Sequence, residues 1–115
     1  MNRSPSTLTR ATAQRLQRLA NLYQQGQASE LMERTLDKLL TYEADVCRAQ
    51  LRELHVDLAA FEQQYGLSSD EFYRRFQAGQ TDDRMDYVEW ASLVQMANNL
   101  RERLRLLTGE DQALG

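Results

Sequence analysis

The amino-acid sequence predicts an all-α fold: a long antiparallel hairpin of coiled-coil-like helices, with a short connecting helix and an N-terminal helix. Three observations support this prediction. Pro5 is the only proline, so a backbone N–H is available at every later position. Leu, Ala, Gln, Arg and Glu, which favour helices, dominate the composition. Apolar residues also recur every three or four positions in two long segments, which is typical of amphipathic helices.

Glycines divide the chain into four predicted helices. Each follows a segment with helical periodicity, where a left-handed residue commonly ends a helix; they are Gly26, Gly66, Gly79 and Gly109. This division predicts a basic N-terminal arm and helix over residues 1–28, a helical hairpin domain over 29–108 and a flexible tail over 109–115.

The first predicted helix covers residues 8–25, and Ser6 or Thr7 can cap it. Its apolar stripe is weaker than those of the later helices. Residues 1–29 contain four arginines and no acid, whereas residues 30–115 carry a net charge of −7. A basic head favours contact with DNA or with an acidic partner. However, four arginines are few for phosphate binding, and a solvated arm is the simpler interpretation.

The second predicted helix covers residues 29–65 and would be roughly 55 Å long. From Cys47 onward its apolar residues alternate in steps of four and three, which is a heptad seam. Before Cys47 the steps are four and four, a stutter that locally unwinds a coiled coil. We expect residues 47–65 to pack on the fourth helix, and residues 29–44 to project past the hairpin unless the first helix folds back on them.

The third predicted helix is short, covering residues 69–78. Ser68 and Glu71 have the spacing of a capping box, and Leu67 and Phe72 have that of a hydrophobic staple. Its aromatic residues share one face, which favours a place in the core with Tyr73 the most exposed; they are Phe72, Tyr73 and Phe76.

The fourth predicted helix covers residues 87–107. Asp86 and Glu89 suggest a second capping box, and Met85 and Trp90 a second staple. Its apolar stripe again advances in threes and fours, which predicts packing against the second helix.

The sequence predicts no catalytic, cofactor or metal site, and hence a protein that is not an enzyme. His55 is the only histidine and lies at the edge of the seam, whereas Cys47 lies on the seam and reads as a small core residue. The acidic group near the fourth helix is better explained by capping and the helix dipole than by calcium binding; it comprises Asp82, Asp83, Asp86 and Glu89.

The composition predicts a cytoplasmic protein. A single cysteine cannot form an internal disulfide, which is typical of reduced compartments. No apolar run approaches the roughly 20 residues that span a bilayer, and the first residues lack the apolar core of a signal peptide.

Exposed leucines at the start of the second helix predict a partner or a second copy, because apolar surface of this kind is usually covered. The residues that we expect to bind are Leu31, Leu36, Leu39 and Leu40, together with Arg10, Arg15 and Arg18 of the first helix.

Two sequence motifs resemble a family of small helical proteins from cyanobacteria, other bacteria and archaea. Residues 61–79 read FEQQYGLSSDEFYRRFQAG, similar to the family's FExxYGMSSEEF connector, and residues 86–90 read DYVEW, similar to its D(F/Y)xEW helix start. Leu67 and Asp70 are mild departures, and residues 79–83 depart from the family's GELGD. The family resembles antitoxin-like members of type II toxin–antitoxin pairs, in which one protein wraps and silences a toxic neighbour.

The sequence and the resemblance together predict a non-enzymatic protein-binding module. It would be an antitoxin-like partner that binds and neutralises a cognate protein, and the resemblance suggests a toxin as that protein. One alternative is a homo-oligomeric coiled-coil structural or adaptor protein. A second alternative is a DNA-binding regulator that acts through the basic N-terminal helix.

Overall fold

The computed structural model describes residues 7–110, apart from the side chains of Thr7 and Leu8. Over this part of the chain it contains helices and no strand, which confirms the all-α prediction. The helices are α1 (Thr7–Gln24), α2 (Glu30–Tyr65), α3 (Ser69–Gln77) and α4 (Met85–Thr108). The predicted caps of α1, Ser6 and the Thr7 side chain, and residues 111–115 of the predicted tail lie outside the described part.

Contacts divide the chain into two compact units that meet inside α2, the first ending at Leu39 and the second beginning at Leu40. In the first unit, the Tyr23 hydroxyl donates a hydrogen bond of 3.1 Å to the Glu33 carboxylate. This bond joins α1 to the start of α2 across the turn at residues 25–29. Ser29 caps α2 there, its hydroxyl accepting from a backbone N–H one turn on.

The second unit is the predicted antiparallel hairpin, with the rest of α2 packed against α4. At one end Arg103 donates to Glu43 over 2.8 Å, and at the other the Tyr65 hydroxyl donates to Asp86 over 2.6 Å. Early residues of α2 therefore pair with late residues of α4, which confirms the opposite helix directions.

The hairpin core follows the predicted seam. Packing begins one turn earlier than expected, because Ala44 is already buried, so the expectation that residues 29–44 all project is wrong at its last position. The buried hydrophobic residues are Ala44, Cys47, Leu51, Leu54, Leu58, Phe72, Trp90, Ala91, Val94, Ala97 and Leu104.

Only half of the capping box at α3 forms. The Ser68 hydroxyl accepts the Glu71 backbone N–H at 3.1 Å, as predicted. The Glu71 carboxylate does not return to Ser68 but binds arginines of its own helix. Instead, the Glu62 carboxylate of α2 accepts the Ser69 N–H at 2.8 Å, so a side chain from another helix completes the cap.

The second predicted capping box is wrong. The residue before α4 is Arg84, and no side chain caps the helix there. Asp86 lies inside the first turn, and its carboxylate accepts a hydrogen bond from Tyr65. Instead, Asp82 fixes the backbone just before the helix, since its carboxylate accepts a hydrogen bond of 3.1 Å from the Arg84 backbone N–H.

The second predicted staple is also wrong, whereas the first is consistent with the structure. Met85 is 78% exposed and Trp90 is fully buried, so these two side chains do not form a staple. Helix α4 begins two residues earlier than predicted, which turns Met85 towards solvent. At α3, by contrast, Leu67 packs against the core cluster that contains Phe72.

The predicted helix ends are confirmed, because all four marker glycines have positive φ angles between 61° and 74°. At the end of α3, the Gly79 N–H donates to the Phe76 carbonyl and the Gln80 N–H to the Arg75 carbonyl. This pair of bonds is the Schellman arrangement, which satisfies carbonyls that the helix leaves open.

Candidate functional site

Two of the predicted binding leucines lie exposed on one face of α2. Leu31 is 66% exposed and Leu39 is 51% exposed, and exposed Thr35 lies midway between them. Residues four positions apart on a helix are neighbours on its surface. We call these three residues the leucine stripe. None of residues 9–39 is buried, so this part of the chain has no closed core that could cover the stripe.

The other two predicted leucines are placed differently. Leu36 is half-buried, on the side of α2 that also carries half-buried Met32. Leu40 is 46% exposed and is the first residue of the second unit. Position on the helix, rather than residue type, therefore separates the exposed leucines from the shielded ones.

The predicted arginines lie exposed on α1, a helix that contains no acidic residue. Arg15 donates to the Thr12 hydroxyl at 3.4 Å, and Arg10, five positions earlier, is also exposed. Positions 15, 18 and 22 share one face by helical spacing, and Leu22 is 41% exposed. We call Arg15, Arg18 and Leu22 the arginine face.

The aromatic residues at the closed end of the hairpin form core, as predicted. Trp90 has no exposed surface and stacks on Phe72, with ring centroids 3.9 Å apart and planes at 1°. Its indole N–H donates to the Ser69 hydroxyl at 2.9 Å. Tyr73, expected to be the most exposed of its group, is half-buried like Phe76. These side chains stabilise the end of the hairpin.

A cleft of about 450 Å³ opens beside this aromatic core. Its charged side chains already have partners: Arg75 binds Glu71, and Asp82 binds Arg84. The hydrogen bonds from Arg84 lower the pKa of Asp82 to about 2, which keeps this carboxylate charged. Both charged side chains that line the cleft therefore have an ion-pair partner within the chain.

Asp86, which the sequence suggested as a helix cap, instead changes the pKa of Tyr65 at the end of α2. The hydrogen bond to Asp86, and then burial, raise the pKa of Tyr65 above its usual value. The Arg84 guanidinium lies 6.0 Å from the Tyr65 ring centroid and 4.6 Å from that of Tyr87, within the range of a cation–π contact. These contacts fasten the start of α4 to the end of α2.

The two reactive residue types take the positions that the sequence predicts. Cys47 is 1% exposed and belongs to the core. His55 is exposed, with its Nε2 atom 3.5 Å from the Arg101 guanidinium. Over residues 7–110, no three His, Cys, Asp or Glu side chains are placed to hold a metal ion. Within the same part of the chain, no helix is long and apolar enough to cross a membrane.

The structure also reveals an acidic groove that the sequence interpretation missed. It lies between α2 and α4, measures about 420 Å³ and has an apolar floor of Leu54, Met96 and Leu100. Its rim carries Glu53 and Asp57, and neither carboxylate pairs with any residue in the described part of the chain. We call this feature the acidic groove; its full lining is Gln50, Glu53, Leu54, Asp57, Met96, Asn99 and Leu100.

The residues beside the heptad seam of α2 do indicate this groove in the sequence. Glu53 and Asp57 are four positions apart, and no basic residue lies three or four positions from either of them. Such acids lack the ion pairs that normally neutralise charge on one helix. The apolar stripe alone does not reveal them, since they flank it.

Comparison with models of protein families, with curated proteins and with solved structures gives no match to this chain. The resemblance to the small helical family is therefore carried by the two sequence motifs alone.

Proposed function

We propose that this chain is a non-enzymatic protein-binding module that binds and neutralises a cognate protein, in the manner of an antitoxin. The observation that carries the proposal is the leucine stripe. Leu31 and Leu39 expose large apolar side chains on one face of α2, within a unit that has no buried residue between positions 9 and 39. An exposed apolar helix face that fits a groove on another protein is a common mode of recognition.

The leucine stripe would supply part of the free energy of binding to such a partner. Fully burying a leucine side chain contributes about 1.5–3 kcal/mol, and the two leucines are about half to two-thirds exposed. Together they would contribute roughly 2–4 kcal/mol, or about thirtyfold to a thousandfold in Kd. The resemblance to antitoxin-like proteins supplies the kind of partner, namely the product of a neighbouring gene.

The test uses the full-length chain and the product of the neighbouring open reading frame. The two proteins are co-expressed and purified, and the Kd is measured by isothermal titration calorimetry. We expect a stable complex, and Leu31→Ser/Leu39→Ser should weaken it by about thirtyfold or more. Growth of cells that express the neighbour should be restored by the wild-type chain and not by this variant.

The matched control removes a similar amount of exposed apolar surface from the hairpin. Val56 is 69% exposed and Leu106 is 67% exposed, so Val56→Ser/Leu106→Ser should leave the Kd unchanged. Circular dichroism checks that both variants keep their helices. A neighbour that neither binds nor inhibits growth would refute the antitoxin role, and equal binding by the stripe variant would refute the site.

A further inference from the structure

The acidic groove has the shape and charge to receive a basic amphipathic helix. Its floor is apolar, and Met96 on that floor is 48% exposed. Glu53 and Asp57 stand four positions apart on its rim, which is about 6 Å along the helix axis. Because neither is paired within the described residues, both would be available to a cationic partner.

The arginine face of α1 has the complementary pattern. Arg15 and Arg18 are separated by about 4.5 Å along the helix, close to the spacing of the two groove carboxylates. Leu22 follows one turn later and is 41% exposed, so it provides an apolar contact for the groove floor. No acidic residue occurs in positions 1–29, so no charge on this segment opposes the groove.

We propose that the acidic groove binds α1 of a second copy of this chain, which gives a twofold dimer held by two equivalent contacts. In such a dimer each arginine face lies in the groove of the partner, so every attractive pair occurs twice. Complementary charge of this kind fixes orientation and partner choice. Nucleic acid is disfavoured as the occupant of this groove, because its phosphates would meet two carboxylates.

This inference is independent of the proposed function. The leucine stripe lies on α2 and the arginine face on α1, so each surface has its own variant. Leu31→Ser/Leu39→Ser should leave the dimer intact, and failure of either proposal leaves the other standing.

The decisive experiment exchanges charges between two full-length chains. One chain carries Glu53→Arg/Asp57→Arg, so that its groove and its α1 are both basic. The other carries Arg15→Glu/Arg18→Glu, so that its groove and its α1 are both acidic. Analytical ultracentrifugation over the micromolar range should show a dimer for wild type and a dimer constant weakened by about tenfold or more for each variant alone.

Mixing the two variants should restore the dimer, because both groove contacts in the mixed pair join opposite charges. As a matched control, Asp37→Lys and Asp83→Lys reverse two exposed acids elsewhere and should leave the wild-type dimer unchanged. Circular dichroism establishes that all variants remain helical.

Three outcomes would overturn the proposal. A wild-type chain that stays monomeric throughout the concentration range excludes a second copy as the occupant. A dimer that persists in both single-sided variants places the interface elsewhere. Loss of DNA binding by the α1 variant in a gel shift, with no change in dimerisation, would assign the arginines to nucleic acid instead.

Discussion

At the scale of single residues, the hydrogen bond between Trp90 and Ser69 is the polar contact most enclosed by the core. Trp90 has no exposed surface and Ser69 is 8% exposed. A buried indole N–H needs an acceptor, since water cannot reach it. The Ser69 hydroxyl, 2.9 Å away, is that acceptor and joins α3 to α4.

Replacing this acceptor should destabilise the hairpin. Ser69→Ala leaves the indole N–H of Trp90 buried without a partner, which should lower the free energy of unfolding by about 1–3 kcal/mol. Urea unfolding followed by far-ultraviolet circular dichroism measures the change in every variant, including those that lack Trp90. Ser92→Ala is the control, because Ser92 is exposed on α4 and should stay within about 0.5 kcal/mol of wild type. In a Trp90→Phe background the cost of Ser69→Ala should nearly vanish; an undiminished cost would mean that Ser69 acts through another contact.

The sequence predicted the burial of Trp90 but not its partner. Helical spacing places position 90 on the apolar stripe of α4, and that pattern is local. Ser69 lies 21 positions away on a different helix. Its role depends on how α3 and α4 meet, which no local pattern specifies.

At the scale of elements, the sequence predicted helix ends correctly where neighbouring residues determine them. The Ser68 cap and the left-handed Gly79 both involve bonds that close within one turn of α3. The predicted start of α4 was wrong because Asp86 makes a contact with another helix instead of capping its own. Asp86 has the right spacing for a cap, but its carboxylate accepts a hydrogen bond of 2.6 Å from the Tyr65 hydroxyl. Local motifs therefore predicted the fold, whereas hydrogen bonds between helices determined the contacts at the start of α4.

The end of α3 provides a test of backbone conformation alone. Gly79 has a φ of +72°, and a Cβ atom added there would meet nothing within 4 Å. Gly79→Ala should therefore destabilise the chain only through the left-handed conformation, by about 1–2 kcal/mol. Gly79→Asn should cost less, since Asn adopts this conformation more readily. Thermal unfolding by circular dichroism ranks the three proteins, and an alanine variant as stable as wild type would contradict this explanation.

Helix α3 should also lose stability in acid. Hydrogen bonds from Arg74 and Arg75 lower the pKa of Glu71 to about 2, from an ordinary value of 4.5. The folded chain thus holds this carboxylate charged more strongly than the unfolded chain does. Its contribution is complete above about pH 4.5 and is lost as the pH falls towards 2.

Glu71→Gln removes the titrating group, so it should reduce the fall in unfolding free energy between pH 5 and about pH 2. Urea unfolding at several pH values measures the fall, and added salt should narrow the difference because the ion pairs are exposed. Identical pH profiles for the two proteins would exclude the Glu71 ion pairs as a source of acid sensitivity.

At the scale of the whole molecule, the two units differ in how much apolar surface they bury. Every buried hydrophobic residue of the described chain lies between Ala44 and Leu104, in the second unit. The heptad seam predicted this core, because a seam records which side chains face a partner helix. It did not predict the acidic groove, because Glu53 and Asp57 flank the seam and become a groove only once α4 lies alongside.

This difference in burial should appear in amide hydrogen exchange, because local opening is easiest where few apolar contacts hold a segment. In the full-length Glu53→Arg/Asp57→Arg variant, which lacks the proposed docking site, amides of α1 should exchange much faster than those around Cys47 and Val94. In the wild-type chain, protection of α1 should rise with protein concentration, since docking on a second copy would shield it. Mass-spectrometric exchange at two concentrations measures both effects. Equal protection of α1 and α4 in the variant would contradict the link between burial and protection in the two units. In the wild type, α1 protection that does not change with protein concentration would argue against the dimer and leave that link intact.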